Sequence, residues 1–252
     1  MKILTLARDL RRRKAREKHE LFVAEGFRAV EELLRSPLEV RGALIGPHIS
    51  DNPRRARLLD EIRKRGIPTD EVGAKEFESA SDTDTPQGLL AVGVVPERRL
   101  ADLSLDGTSR LVTLDAIQDP GNVGTIIRTA AALGATATLA LPGTVDLWNA
   151  KVVRSAMGAH FNHACLSITW DEFDTFRRER GVSFWAADAS GDSIEGLEPP
   201  SRLALVLGNE GAGLSSHSRA RADRMVALPI SAIVESLNVA VAAGILLYEL
   251  RR

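Results

Sequence analysis

At 252 residues the chain is long enough for one large domain or two modest ones. A 44% apolar fraction with only 4% aromatic residues suits a globular α/β protein, and 33 basic against 34 acidic side chains leave a net charge of −1 that argues for no partner. The single cysteine, Cys165, rules out an internal disulfide framework and fits a reducing compartment.

The first elements alternate. Residues 2–18 read as a basic helix that can track phosphates, in which the consecutive Arg11, Arg12, Arg13 and Lys14 fan around the axis so that only some can face one strand of RNA; a solvated helix face is the plainer reading. No apolar segment of a secretory signal follows, and no stretch approaches the roughly 20 residues of a membrane span, so a cytosolic protein is expected. LFVAEG is a strand and FRAVEELLRS a helix. VRGALIG is a strand, Asn52–Gly66 a helix stopped by its glycine, and IPTDEV a strand. A short helix AKEFESAS and a buried strand Gly88–Val95 complete a small α/β domain over residues 1–95. The polar, turn-rich Pro96–Arg110 reads as a linker.

Residues 111–252 form a second α/β domain. Strands are expected at LVTLDAI, TATLAL, HACLSI, VSFWAAD, RLALVLG and RMVALPI, with helices at Val123–Leu133, Asn149–Met157, Asp171–Arg180 and Glu235–Arg251. Strands separated by helices imply parallel pairing.

Three loops hold the chemistry. QDPGNVGTIIR puts Asn122 where a helix N-cap would stand, and Arg128 in the second turn, either surface-directed or held for phosphate. GNEGAGLS is a glycine loop after an apolar strand; it is neither a Walker sequence nor a dinucleotide fingerprint, and Glu210 at its tip could orient a polar group. LPISAIVESLNV brings Ser236, a plain cap candidate, and Asn238, which as a first-turn residue is better explained by a site. His160 and His163 could be a metal pair, but no accompanying ligands support one, and no metal is expected.

Together DPGNVGTIIRTA, GNEGxG and the Pro229–Glu249 segment with SLNVAVAAGILLYE closely resemble the motifs of the SpoU (TrmH-like) family of RNA ribose 2′-O-methyltransferases, within the SPOUT superfamily. The resemblance covers about residues 111–252, and RRKAREKHELFVAEGFRAVEELL with TDTPQGLLAV is similar to the family's accessory RNA-binding domain. It implies a C-terminal parallel-sheet domain with a deep trefoil knot, S-adenosyl-L-methionine as cofactor, and a homodimer. The cofactor would be gripped around Leu207, Gly208, Leu228, Ile230 and Leu237; the catalytic set would be Asn122, Arg128, Glu210, Ser236 and Asn238. One departure is RSAMG at Arg154–Gly158, where the family often reads R-A-S-x-G, so Ser155 is not given the family's role. The implied substrate is RNA, with large-subunit ribosomal RNA preferred over transfer RNA. A non-catalytic RNA-binding or ribosome-assembly protein is the alternative of a different class, and an ordinary doubly wound nucleotide enzyme lacks both phosphate fingerprints.

Overall fold

The structure, a computed structural model, describes residues 2–47 and 53–251. It divides into two units. One holds the chain up to Glu97 together with Trp148–Asn162; the other holds Arg98–Leu147 and the chain from His163 onward.

The first unit opens with α1 (Ile3–Asp9) and α2 (Arg13–His19) where one basic helix was expected. The break has a physical cause. Leu10 is buried, Arg12 is extended, and the buried Arg16 donates from Nη1 to the carbonyls of Leu10 (2.7 Å) and Arg11 (2.9 Å) that the break frees. Then follow β1 (Leu21–Glu25), α3 (Phe27–Arg35), β2 (Val40–Ile45), α4 (Pro53–Lys64), β3 (Thr69–Glu71), α5 (Ala74–Ala80) and β4 (Leu89–Val94). Asn52, the expected start of the fourth helix, lies outside the described residues. The sheet order is β1-β4-β2-β3, with β4 antiparallel to both neighbours and β2 parallel to β3. Leu4, Val23, Leu44, Phe77 and Leu90 are among its core.

A 3-10 turn, Leu100–Asp102, falls within the expected linker. Beyond it come β5 (Ser109–Leu114), α6 (Pro120–Ala132), β6 (Ala137–Ala140), α7 (Ala150–Ser155), α8 (Ala159–Asn162), β7 (Ala164–Ser167) and α9 (Trp170–Arg180). β8 (Ser183–Ser193), β9 (Arg202–Leu207), α10 (Ser216–Arg221), β10 (Arg224–Ala227) and α11 (Val239–Leu250) complete the chain. The six strands pair in the order β10-β8-β9-β5-β6-β7, every pair parallel. β5 is buried at all six positions and β6 at all four, as expected of parallel strands covered on both faces. The chain runs outward from β5 through β6 to β7, then returns to β8 and β9 on the other side. The order therefore switches between β5 and β9, where an open α/β sheet places its ligand crevice.

Trp148–Asn162 groups with the first unit through an aromatic cluster: the Trp148 ring lies 4.5 Å from Phe22 and 4.3 Å from His160, and Phe161 stacks on Phe22 at 5.7 Å. Gly158 has φ +89°, and a Cβ there would stand 2.6 Å from the Glu32 side chain, so this turn of the RSAMG segment requires glycine. Among the described residues no helix is long and apolar enough to cross a membrane.

Candidate active site

β5 and β9 pair with Leu114 opposite Leu207, so the loops after them leave the sheet side by side. Asp115 ties them. Its buried carboxylate accepts from Ser215 N (2.7 Å) and Ser218 Oγ (2.6 Å) at the far end of the glycine loop, while its own N–H donates to Leu207 O (2.8 Å). Asn209 Nδ2 donates to the carbonyl of Ala116 (2.8 Å), a residue held at φ +57° although it is not glycine. That left-handed backbone is a local strain maintained by the contacts around it.

The glycine loop closes on itself. Asn209 and Gly213 exchange two backbone hydrogen bonds of 2.9 Å, and Asn209 Oδ1 accepts from Gly211 N and Ala212 N. Gly208 is required for a reason unrelated to φ: a Cβ there would lie 2.5 Å from backbone atoms of Gly213 and Leu214. A larger residue at 208 therefore breaks the loop itself before it fills any cavity.

This loop presents Glu210 to α6. Its carboxylate accepts from Gln118 N (3.3 Å), Asp119 N (3.2 Å) and Asn122 Nδ2 (3.0 Å). Partial burial pushes its pKa up, but these hydrogen bonds outweigh that and hold it below the ordinary carboxylate value.

Asn122 is not the helix cap. Asp119 caps α6, its Oδ1 accepting from Asn122 N at 2.9 Å, with Pro120 opening the first turn. The Asn122 side chain is thereby released to reach Glu210 through Nδ2 and Asn238 through Oδ1. The last helix also departs from the expected Glu235 start. It begins at Val239, and its cap is Asn238, not Ser236: Oδ1 of Asn238 accepts from Ala240 N (2.9 Å) and Val241 N (3.3 Å). One amide performs both tasks, since its Nδ2 donates to Asn122 Oδ1 at 3.0 Å.

A cavity of about 490 Å³ lies beside this network. Leu207, Gly208, Leu228, Ile230 and Leu237 all line it, as do Glu210, Ser236 and Asn238. Its size is that of a small-ligand pocket, and its walls are apolar side chains and glycine-rich backbone with a few polar groups, which fits a nucleoside carrying an amino-acid arm. Asn122 adjoins the cavity through Glu210 and Asn238. Arg128 does not line it. It is exposed on α6, bordering a shallow patch with Ile245 and Tyr248 of α11. The loops read from sequence omit one wall of the cavity: Ala187, Asp188 and Ala189 of β8.

In the first unit Arg11, Arg12, Arg13 and Lys14 are all exposed, but they straddle the α1–α2 break and so do not fan around one helix. Arg12 pairs with Asp9 (2.6 Å), Arg13 with Glu17 (2.7 Å), and Arg11 donates to Ser79 O (3.3 Å). His160 is buried against Trp148 in the first unit, while His163 bonds Thr138 in the second. Among the described residues no group of three or more His, Cys, Asp or Glu could hold a metal ion.

Comparison with known proteins decides the family. The model of the SpoU rRNA Methylase family matches residues 109–248, and that of the MRM3-like substrate binding domain matches residues 3–91. The chain belongs to the SpoU rRNA Methylase family. This SpoU-family protein is 37% identical over 246 residues, 97% of its own length and 94% of the relative's, to the 23S rRNA (guanosine(2553)-2′-O)-methyltransferase RlmP of Bacillus subtilis. It is 32% identical to the 23S rRNA (guanosine-2′-O-)-methyltransferase RlmB of Bordetella pertussis, covering 90% of this chain and 95% of that one. The AdoMet-bound rRNA methyltransferase of Sinorhizobium meliloti superposes with a TM-score of 0.85 at 28% identity, covering 98% of this chain and 93% of that one. The SpoU methyltransferase AviRb of Streptomyces viridochromogenes, in complex with AdoMet, does so with a TM-score of 0.85 at 26% identity, covering 98% and 96%. The SpoU-family chain is an S-adenosylmethionine-dependent RNA ribose 2′-O-methyltransferase.

Proposed function

We propose that this enzyme methylates a guanosine ribose of large-subunit ribosomal RNA, acting as a cytoplasmic homodimer. The observation that carries the reading is the convergence of Asn122, Glu210 and Asn238 in one hydrogen-bonded network beside a nucleoside-sized cavity. The names of the Bacillus and Bordetella relatives support the RNA and the nucleotide. A buried single cysteine fits a reducing compartment. The family's deep trefoil knot belongs to the same reading.

Bound S-adenosylmethionine supplies a methyl group already activated on a sulfonium. The protein's task is then to hold the acceptor oxygen in line and help its proton leave. Leu207, Gly208, Leu228, Ile230 and Leu237 would hold the cofactor, through backbone and apolar contact. Glu210 is an orienting group: a carboxylate engaged by four N–H donors, the fourth being Asn209 Nδ2 at 3.5 Å, and held below its ordinary pKa is a poor base. Asn122 and Asn238 fix the polar edge of the site, and Ser236 offers a hydroxyl on the same wall. Arg128 clamps the phosphate beside the acceptor with its guanidinium fork and stabilises developing alkoxide charge.

The dimer reading rests on α11. Val241, Ile245 and Tyr248 are 52%, 42% and 48% exposed, and Arg128 borders the same patch. A second copy seated there puts Arg128 at the seam between subunits. RNA capture is assigned to the first unit, with Arg11, Arg12, Arg13 and Lys14 as its phosphate contacts.

The test is a map of alkali-resistant positions in total RNA from cells with and without the protein. One large-subunit position is expected to lose its resistance on deletion. Loss of a transfer-RNA position instead, or a methyl that leaves the RNA alkali-labile, overturns the reading.

A further inference from the structure

β8 leaves its sheet in mid-course. Ala186 pairs with Val206 of β9 and with Met225 of β10, but pairing with β10 resumes only at Asp192 opposite Val226. Residues 187–191 therefore bulge out of the ladder, and Gly191 permits their return: a Cβ there would stand 2.5 Å from the Met225 backbone. The bulge places Asp188 two residues past the last β8–β9 pair, level with Gly208 at the start of the glycine loop, and on the cavity wall.

Asp188 is held firmly. Oδ1 accepts from Ser190 N (3.0 Å) and Ser190 Oγ (2.5 Å), and Oδ2 from Arg219 Nη2 (2.6 Å). Arg219 is itself carried by α10, the helix that Asp115 anchors through Ser218. A carboxylate has about four lone-pair positions, and these contacts use three. Among the described residues the side chains lining the cavity include Asp188, Glu210 and Glu235 but no Lys, Arg or His, so its charged groups are acceptors that suit hydroxyl and ammonium donors on a ligand.

We propose that Asp188 recognises the ribose diol of S-adenosylmethionine, with Ser190 and Arg219 holding its carboxylate in place to accept from the sugar hydroxyls. A carboxylate in a bulge just past the last β8–β9 pair, one strand away from a glycine loop, is well placed for that contact in an open α/β sheet. The inference rests on this cavity being the cofactor site.

The test is calorimetry with S-adenosylhomocysteine and its 2′-deoxy and 3′-deoxy forms, which differ in the diol and not in charge. The full-length protein is expected to lose about tenfold in affinity when a contacted hydroxyl is removed, the size of one hydrogen bond to a charged group. Asp188→Asn and Asp188→Ala are expected to bind the parent ligand about tenfold more weakly and to distinguish the deoxy forms no longer. Folded Asp188→Ala that discriminates as the wild type does overturns the proposal. So does loss of S-adenosylmethionine affinity in that variant with diol discrimination intact, which would assign Asp188 to the cationic arm. If the variants melt early, the unaltered protein decides alone: equal affinity for all three ligands overturns the proposal. Failure of the parent ligand to bind at all would instead overturn the cofactor site.

Discussion

Asn122 and Asn238 stand 116 positions apart and share one hydrogen bond, Asn238 Nδ2 donating to Asn122 Oδ1 at 3.0 Å. Every other polar atom of the two amides has a defined direction. Asn122 Nδ2 donates to Glu210, and Asn238 Oδ1 caps α11. The polarity runs one way, from α11 through both amides to the carboxylate, so turning Asn122 around breaks two bonds at once and turning Asn238 around breaks three.

Asn238→Asp separates the cap from the network. Asp caps as well as Asn, so stability should stay within about 0.5 kcal/mol. The new carboxylate oxygen faces Asn122 Oδ1, and single-turnover methyl transfer should fall at least about tenfold. Asn238→Ala loses the cap as well, at about 1 kcal/mol in urea melts. Equal stability loss in the two variants would show that capping is not what distinguishes them.

Glu210 carries a pH prediction. Its folded pKa lies below the ordinary value because the Asn122 and backbone N–H groups outweigh the opposing burial. The network is then fully formed above the ordinary carboxylate range and is lost as pH falls through the lowered folded value. The pH–rate profile should show no ionisation of Glu210 near neutrality. Glu210→Gln turns an NH₂ toward the donors Gln118 N or Asp119 N and should lower turnover at every pH. A near-neutral inflection that disappears in this variant would make Glu210 a base after all.

Gly208→Ala tests the glycine loop. The added methyl meets Gly213 and Leu214 backbone at 2.5 Å, so the Asn209–Gly213 bridge has to open. The variant should lose cofactor affinity and also melt earlier, by about 1–3 kcal/mol as in other overpacked sites. Lost affinity with unchanged melting would mean that the loop adapts and the methyl acts on the ligand alone.

The sheet and the glycine loop could be read from the sequence because their causes are local. β9 is an apolar run from Leu203 to Leu207 without alternation, since both faces are covered, and the loop after it announces itself through its glycines. What escaped was decided by tertiary contact or by near-equivalent choices. Asp119 and Asn122 are both good caps three residues apart, and Ser236 and Asn238 two apart; neither pair is ranked by propensity. The grouping of Trp148–Asn162 with the first unit depends on rings of Phe22 and Trp148 that no period connects. The strand VSFWAAD reads as ending at Asp188, yet Ala187, Asp188 and Ala189 supply the missing wall of the cavity.

Arg128→Ala should abolish methyl transfer while leaving cofactor affinity and melting unchanged, because the side chain is exposed and does not line the cavity. Arg128→Lys keeps the charge but loses the planar fork, and should fail as well if the phosphate contact is bidentate. Filter binding of S-adenosylmethionine beside single-turnover transfer separates the two effects. Near-normal turnover in Arg128→Ala would remove this residue from the mechanism.

His163 should make the fold acid-sensitive well away from the site. Burial first, and the nearby Arg98 cation second, bring its pKa from 6.5 down to about 4. Its Nε2 lies 2.9 Å from Thr138 Oγ1, and Arg98 donates to its carbonyl. Below pH 6.5 the unfolded chain binds a proton there that the folded chain refuses, so stability is full above 6.5 and declines as pH falls toward about 4. The whole effect is about 3 kcal/mol across that window. His163→Gln keeps a hydrogen-bonding group for Thr138 but has nothing to titrate. Urea melts from pH 8 to pH 4 should therefore be flatter for the variant, even if it is less stable at pH 8. An unchanged acid slope would move the sensitivity to other groups, the carboxylates first among them.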